Sequence, residues 1–142
     1  MVKEIRIYFE GHTTLKAGFH AFFSEIIRVA RTRRCRVQLI STNGTPAQDY
    51  KIALVNHPDA WNILLLDSDG PDSGSLSIAF CRERGLDERH AGSVFWVVQL
   101  METWFLTDTD ALARYYGAGF HPDSLPHNTN VEDVPKGSVY AA

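Results

Sequence analysis

The feature of this chain that most constrains its fold is a short, almost wholly apolar run near its middle. Residues 61–66 carry five apolar side chains and one asparagine, and turn-forming residues flank them on both sides. A strand buried on one face alternates apolar and polar residues, so a continuous run indicates a strand that is covered on both faces. Such strands occur mainly in parallel sheets sandwiched by helices. The run therefore predicts an α/β domain.

The rest of the chain alternates between strand and helix patterns. Further strands are predicted at residues 4–9, 36–40 and 94–99, and helices at residues 13–33, 46–57 and 102–116, with a weaker helix within residues 71–84. This alternation predicts a three-layer, Rossmann-like fold with a mainly parallel central sheet of about four strands. We assign residues 1–116 to this domain. Residues 117–142 are rich in Gly, Pro, His and Asn, which predicts an irregular tail packed on the domain or extending from it.

The charge balance excludes a globally basic nucleic-acid binder, because the formal net charge is −3. A local basic segment nevertheless exists, since residues 28–36 contain five arginines. Arg31, Arg33 and Arg34 are our candidates for contact with a polynucleotide backbone. The alternative is a plain solvated helix end, where cations are favoured by the helix dipole.

Cysteine usage and hydropathy indicate the cellular setting. Cys35 and Cys81 are the only cysteines and lack the spacing of a zinc site, so both are expected to be buried or free thiols in a reducing compartment. No apolar run approaches the roughly 18 residues that a membrane span requires. We expect a soluble, cytoplasmic protein without a membrane partner.

Three acidic residues follow predicted strands directly. Glu10 comes after the first strand, and Asp67 and Asp69 come after the apolar run. Sites in open parallel sheets form at the carboxyl ends of strands. Carboxylates gathered there repel one another unless a cation offsets their charge, and Mg²⁺, or Mn²⁺ in its place, prefers such oxygen ligands. The alternatives are that Glu10 caps a helix or pairs with an arginine, and that the aspartates close a turn.

Carboxylates around a divalent cation suit phosphodiester hydrolysis. Such a site binds phosphate oxygens, stabilises the charge of an in-line displacement and deprotonates water. In this hypothesis Asp67 and Asp69 hold the cation, while Glu10 is a ligand or the general base. Lys136 could neutralise a phosphate, although a lone lysine in a tail is commonly solvated. His12 is close to Glu10 in sequence and is more simply explained as an exposed loop histidine.

The strand ending in Glu10-Gly11 and the later Asp67-x-Asp69 element together resemble the TOPRIM domain of topoisomerases, primases and OLD-type nucleases. In addition, residues 101–108 read Met-Glu-Thr-Trp-Phe-Leu-Thr-Asp, similar to the signature of a bacterial TOPRIM-like family of undetermined function. The resemblance implies Mg²⁺ bound by the three acids, with Glu102 as a fourth catalytic carboxylate. It also implies an ATPase partner of the kind found in phage defence. Family members continue past the Pro-Lys element with a further helix, so the resemblance implies a shortened variant.

Two rival functions stay open at the sequence level, as does the oligomeric state. One is a non-catalytic module that docks on an ATPase, in which Glu102 serves only the dipole of its helix. The other is a small-nucleotide hydrolase, which requires a closed pocket. Four aromatic residues at helical spacing are predicted to be core residues and not stacking platforms: Trp104, Phe105, Tyr115 and Tyr116.

Overall fold

A parallel sheet organises the chain. The computed structural model describes residues 2–42, 44–71, 74–128 and 130–140. Within these residues the strands are β1 (Glu4–Phe9), β2 (Arg36–Ser41), β3 (Trp61–Asp67) and β4 (Val94–Val97). They lie in the order β2-β1-β3-β4, so β1 and β3 are the interior strands. The predicted α/β class with a mainly parallel sheet of about four strands is confirmed.

The helices follow the strands in sequence as the patterns predict. They are α1 (Lys16–Phe22), α2 (Ser24–Thr32), α3 (Pro46–Asn56), α4 (Leu76–Glu83), α5 (Met101–Phe105), α6 (Thr109–Tyr116) and α7 (Lys136–Tyr140). None of those in the described part of the chain has the length and apolar character that a membrane crossing needs.

The chain divides into two compact units. The first contains residues 1–66 and 77–95, and the second contains residues 67–76 and 96–142. The boundary that the sequence predicts near residue 117 stays a prediction.

The register of the sheet places β1 between two parallel neighbours. Glu4 lies opposite Arg36 of β2, and Ile5 lies opposite Trp61 of β3. At this amino-terminal end the Glu4 carboxylate accepts hydrogen bonds from Gln38, Arg6 and Arg36. The hydrogen bond from Gln38 contributes most to lowering the pKa of the Glu4 carboxyl, with the two guanidinium groups adding to it. Polar and charged side chains thus link β1 to β2 where the two strands begin.

The core of the first unit is aromatic. Phe9 of β1 packs on Phe19 of α1 with ring centroids 4.4 Å apart. Tyr50 of α3 is fully buried, and its hydroxyl donates a hydrogen bond of 3.1 Å to the Asn62 carbonyl. Burial raises the pKa of Tyr50 to about 12. This packing fixes α1 and α3 on the sheet.

Both cysteines are buried free thiols, as the sequence predicts. Burial raises the pKa of the Cys81 thiol, and the nearby Glu88 and Asp87 carboxylates raise it further. The Cys81 thiol is therefore held neutral and inert.

The helix predicted over residues 13–33 has a local break and a different start. It begins with a 3-10 turn, Thr13–Leu15, whose N-cap is His12, since His12 Nδ1 accepts a hydrogen bond from the Thr14 amide. At Phe23 the backbone leaves helical geometry, yet its amide still donates to the Phe19 carbonyl. His12 is exposed, as predicted.

Two predictions for the second unit are wrong in detail. The helix predicted over residues 102–116 is two helices, because the Asp108 carboxylate accepts from the Ala111 amide and starts α6 anew. The tail predicted to be irregular contains α7 and three 3-10 turns, Gly117–Gly119, Pro122–Ser124 and Val131–Asp133. Val134 is fully buried, so part of this tail belongs to the core of the unit.

Candidate functional site

The predicted acidic residues lie at the carboxyl ends of the two interior strands. Glu10 directly follows β1, is exposed, and donates its amide hydrogen to the Leu65 carbonyl at 3.2 Å. Asp67 is the last residue of β3 and is half-buried. Both positions agree with the expectation from the sequence. Glu10 belongs to the first unit, and Asp67 and Asp69 belong to the second.

Backbone hydrogen bonds fix the loop that carries the two aspartates. The Ser68 amide donates to the Val97 carbonyl at 3.1 Å, and the Asp69 amide donates to the Gln99 carbonyl at 3.0 Å. The Ser68 hydroxyl donates to the Gly70 carbonyl. The loop backbone is thereby bonded to the end of β4 and to Gln99 beyond it, and the Ser68 side chain adds a hydrogen bond within the loop.

Asp69 turns the chain at this point. Its φ is 57°, in the left-handed region that aspartate adopts more readily than most other residues. Its side chain is exposed and forms an ion pair with Lys136, with 2.5 Å between Lys136 Nζ and an Asp69 carboxylate oxygen. Lys136 is therefore not a solvated tail lysine. Its ammonium group forms an ion pair with Asp69, a predicted metal ligand.

A hydrogen bond and a buried side chain anchor the tail that carries Lys136. Gln99 is buried and donates from its side-chain amide to the Glu132 carbonyl at 3.1 Å. Val134, fully buried, lies between this hydrogen bond and Lys136 in sequence. Sequence reasoning missed both residues. The only signal was a polar residue at the end of a strand pattern and a valine before Pro135.

Glu102 occupies a different environment. It is the second residue of α5, is exposed, and lines a cavity of about 580 Å³ formed by α5, α6 and the tail. The prediction that Phe105, Tyr115 and Tyr116 are core residues is wrong, since they are 55%, 82% and 63% exposed. The reason is the break between α5 and α6, which resets the helical phase that the prediction assumed. Trp104 is half-buried.

The predicted carboxylates that the structure describes do not form a complete metal-binding site by themselves. Among the described residues, no group of three or more His, Cys, Asp and Glu side chains is placed to hold one metal ion. Mg²⁺, however, is commonly bound through one or two carboxylates, several waters and the phosphate of a substrate. Asp67 and Asp69, two residues apart in sequence at a strand end, supply the number of carboxylates that this mode requires.

The arginine segment divides into paired and available side chains. Arg28 pairs with Glu25, and Arg36 pairs with Glu4. The other three, Arg31, Arg33 and Arg34, are exposed and make no side-chain hydrogen bond or ion pair with residues that the structure describes. These are the three candidates for phosphate contact, and nothing within the described chain neutralises them.

Comparisons with known proteins do not extend this description. The resemblance to TOPRIM domains is therefore a prediction that depends on the residues named above. The chain matches no protein-family model, no curated protein and no solved structure.

Proposed function

We propose that this protein hydrolyses phosphodiester bonds of a polynucleotide in a Mg²⁺-dependent reaction. The observation that carries the proposal is the Asp67-Ser68-Asp69 loop, held by backbone hydrogen bonds at the carboxyl end of an interior parallel strand. Ligand sites of open α/β sheets occur at this end of the strands. A fixed pair of carboxylates there is suited to a hard cation.

In this proposal each side chain has a limited task. Asp67 and Asp69 hold the cation through carboxylate oxygens, with Mn²⁺ as a substitute for Mg²⁺. The cation, when bound, stabilises developing negative charge and lowers the pKa of a water. Glu10 belongs to the first unit, and its role as general base or third ligand is proposed from the resemblance to TOPRIM domains alone.

Lys136 supports the proposal because its ammonium pairs with the Asp69 carboxylate, which is therefore accessible to a positively charged group. An ammonium beside a metal-binding carboxylate is also within reach of a phosphate that the metal orients. Arg31, Arg33 and Arg34 are proposed to bind the backbone of the polynucleotide. Glu102, the fourth carboxylate implied by the resemblance, has no part in holding the cation in this proposal.

Hydrolysis assays with matched variants test the proposal. Single- and double-stranded DNA and RNA are incubated with the protein in Mg²⁺ or Mn²⁺, and cleavage is followed on gels. We expect metal-dependent cleavage that falls by a factor of about 100 or more in Asp67→Asn and Asp69→Asn, since both remove a negative ligand and keep the size. Asp59→Asn, an exposed turn residue, is the control and should retain activity. Cleavage that persists in both loop variants would contradict the proposal.

A docking module is the second candidate, favoured by an apolar surface on the first unit. Val2, Ile26, Val29 and Trp61 are exposed around a depression of about 450 Å³. Exposed apolar surface of this kind is typical of protein interfaces. This function predicts that Ile26→Asp abolishes binding to an ATPase partner, while Asp67→Asn leaves that binding intact. Equal binding by wild type and Ile26→Asp would exclude this surface as the contact.

A further inference from the structure

The cavity of the second unit, which we term the aromatic cavity, has walls of unusual composition. Phe105 of α5 and Tyr116 of α6 both line it although each is more than half exposed. Phe120 also lines it, and its ring is nearly parallel to that of Tyr116, with 13° between the planes and 6.1 Å between the centroids. Flat, exposed aromatic faces are surfaces on which a planar ring stacks.

The charged side chain on the wall of the aromatic cavity determines which ligand groups can bind there. Glu102 lies on its wall, and its carboxylate makes no hydrogen bond or ion pair with any residue that the structure describes. No lysine or arginine is among its described lining residues. An anionic group next to Glu102 would therefore be repelled, so the phosphate of a bound nucleotide has to lie away from this carboxylate. A planar ligand that presents N–H donors would satisfy the carboxylate.

Among the common bases, this requirement distinguishes guanine. Its Watson–Crick edge carries two adjacent donors, N1–H and the N2 amino group, which match the two oxygens of one carboxylate. Adenine and cytosine each place an acceptor nitrogen beside their amino group, and uracil and thymine flank one donor with two carbonyl oxygens. Each of these edges points a lone pair at the carboxylate. The volume of about 580 Å³ is within the range of ligand pockets, so it accommodates a base with its sugar.

We propose that the aromatic cavity binds a guanine base, stacked on Phe105 and Tyr116 and hydrogen-bonded through N1–H and N2–H to the Glu102 carboxylate. That this base belongs to the substrate rests on the function proposed above. The binding itself does not, because it needs no metal. Glu102 is then a specificity-determining residue and not a fourth catalytic carboxylate.

The test measures binding of the four nucleoside monophosphates without divalent metal, by calorimetry and saturation-transfer NMR. Guanosine monophosphate should bind about 10-fold or more tightly than the other three. Glu102→Gln should weaken the binding of guanosine monophosphate and shift the preference towards adenosine monophosphate. The reason is that the glutamine side-chain amide donates a hydrogen bond to adenine N1 and accepts one from adenine N6. Tyr116→Ala should weaken the binding of all four nucleotides. Glu83→Gln, an exposed glutamate of α4, is the control and should leave the preference unchanged.

Two results would overturn the proposal. One is no guanosine monophosphate binding, or equal binding of all four nucleotides, by wild type. The other is an unchanged preference in Glu102→Gln with the fold intact by circular dichroism. Because metal is absent, a protein that binds guanine and fails to cleave separates the two proposals. A short oligothymidylate with one guanine identifies the source: tighter binding than the mononucleotide indicates a strand, and equal or weaker binding indicates a free nucleotide.

Discussion

At the scale of single residues, Asp69 combines a strained backbone with an exposed ion pair. Its positive φ and its amide hydrogen bond to the Gln99 carbonyl fix the backbone that carries the carboxylate, and Lys136 Nζ lies 2.5 Å from a carboxylate oxygen. A divalent cation that binds Asp69 must compete with this ammonium. Lys136 thus contributes to the metal affinity of the site even though it is not a ligand.

Removing the competitor should strengthen metal binding. We expect Lys136→Met to raise the Mg²⁺ affinity by a factor of about 2 to 5, because an exposed ion pair of this kind contributes about 0.5–1 kcal/mol. Cleavage should fall in the same variant if the ammonium also contacts phosphate. Calorimetry gives the affinity, and Lys3→Met, an exposed lysine elsewhere, is the control. A weaker Mg²⁺ affinity in Lys136→Met would show that the ammonium does not compete.

The buried Tyr50 hydroxyl predicts a loss of stability in alkali. Its pKa rises from the ordinary 10.0 to about 12 in the folded protein, chiefly through burial. The unfolded chain therefore loses this proton first. The contribution of Tyr50 to the free energy of unfolding is fully present below pH 10.0 and is lost as pH rises towards about 12, by roughly 2 kcal/mol.

Denaturant unfolding of wild type and Tyr50→Phe across this pH range measures the effect. The phenylalanine variant should start about 1 kcal/mol less stable, because the hydrogen bond to Asn62 is absent. Its stability should then decline less steeply with pH. Parallel declines for the two proteins would mean that Tyr50 ionises equally in both states.

At the scale of elements, the sequence predicts well wherever local pattern and tertiary environment agree. The run at β3 is apolar because the strand is interior, so its pattern identifies both the strand and the sheet type. Likewise, Pro46 begins α3 as its fixed φ suggests. For the candidate site, the positions of Glu10, Asp67 and Asp69 at strand ends follow from the same patterns.

Prediction fails where long-range contacts override local pattern. Asp108 is a residue type that commonly caps a helix N-terminus, and it marks the start of α6. The spacing of the aromatic residues on both sides of Asp108 nevertheless favoured a single helix. The Lys136–Asp69 pair joins residues 67 positions apart, and the Gln99 contact with Glu132 spans 33. No local pattern encodes such pairings. The aromatic cavity was missed for the same reason, since its walls come from three separate segments.

A further prediction concerns the exposed arginines at the end of α2. If Arg31, Arg33 and Arg34 bind a polynucleotide, replacing all three with alanine should weaken binding uniformly across sequences. The slope of log affinity against log salt should also become shallower by about 2 to 3. Filter binding or fluorescence anisotropy at several salt concentrations gives both quantities. Arg82→Ala, whose guanidinium is paired with Glu88, is the control. An unchanged salt slope in the triple variant would exclude this helix end from the interface.

At the scale of the whole molecule, the division into two units separates the proposed tasks. The first unit carries Glu10, the three exposed arginines Arg31, Arg33 and Arg34, and the apolar surface, and the second carries the Asp-x-Asp loop, Lys136 and the aromatic cavity. The second unit thus contains the two aspartates proposed to hold the cation and the proposed base pocket. Metal binding by its two aspartates is therefore the claim on which the proposed hydrolysis depends.

Calorimetric titration of Mg²⁺ and Mn²⁺ into wild type and an Asp67→Asn, Asp69→Asn double variant tests this claim most directly. It requires neither a substrate nor a partner protein. The account predicts saturable binding by wild type and its loss in the double variant, with circular dichroism unchanged and the Asp59→Asn control binding as wild type does. Wild type that binds neither metal, or a double variant that binds as tightly as wild type, would contradict the account.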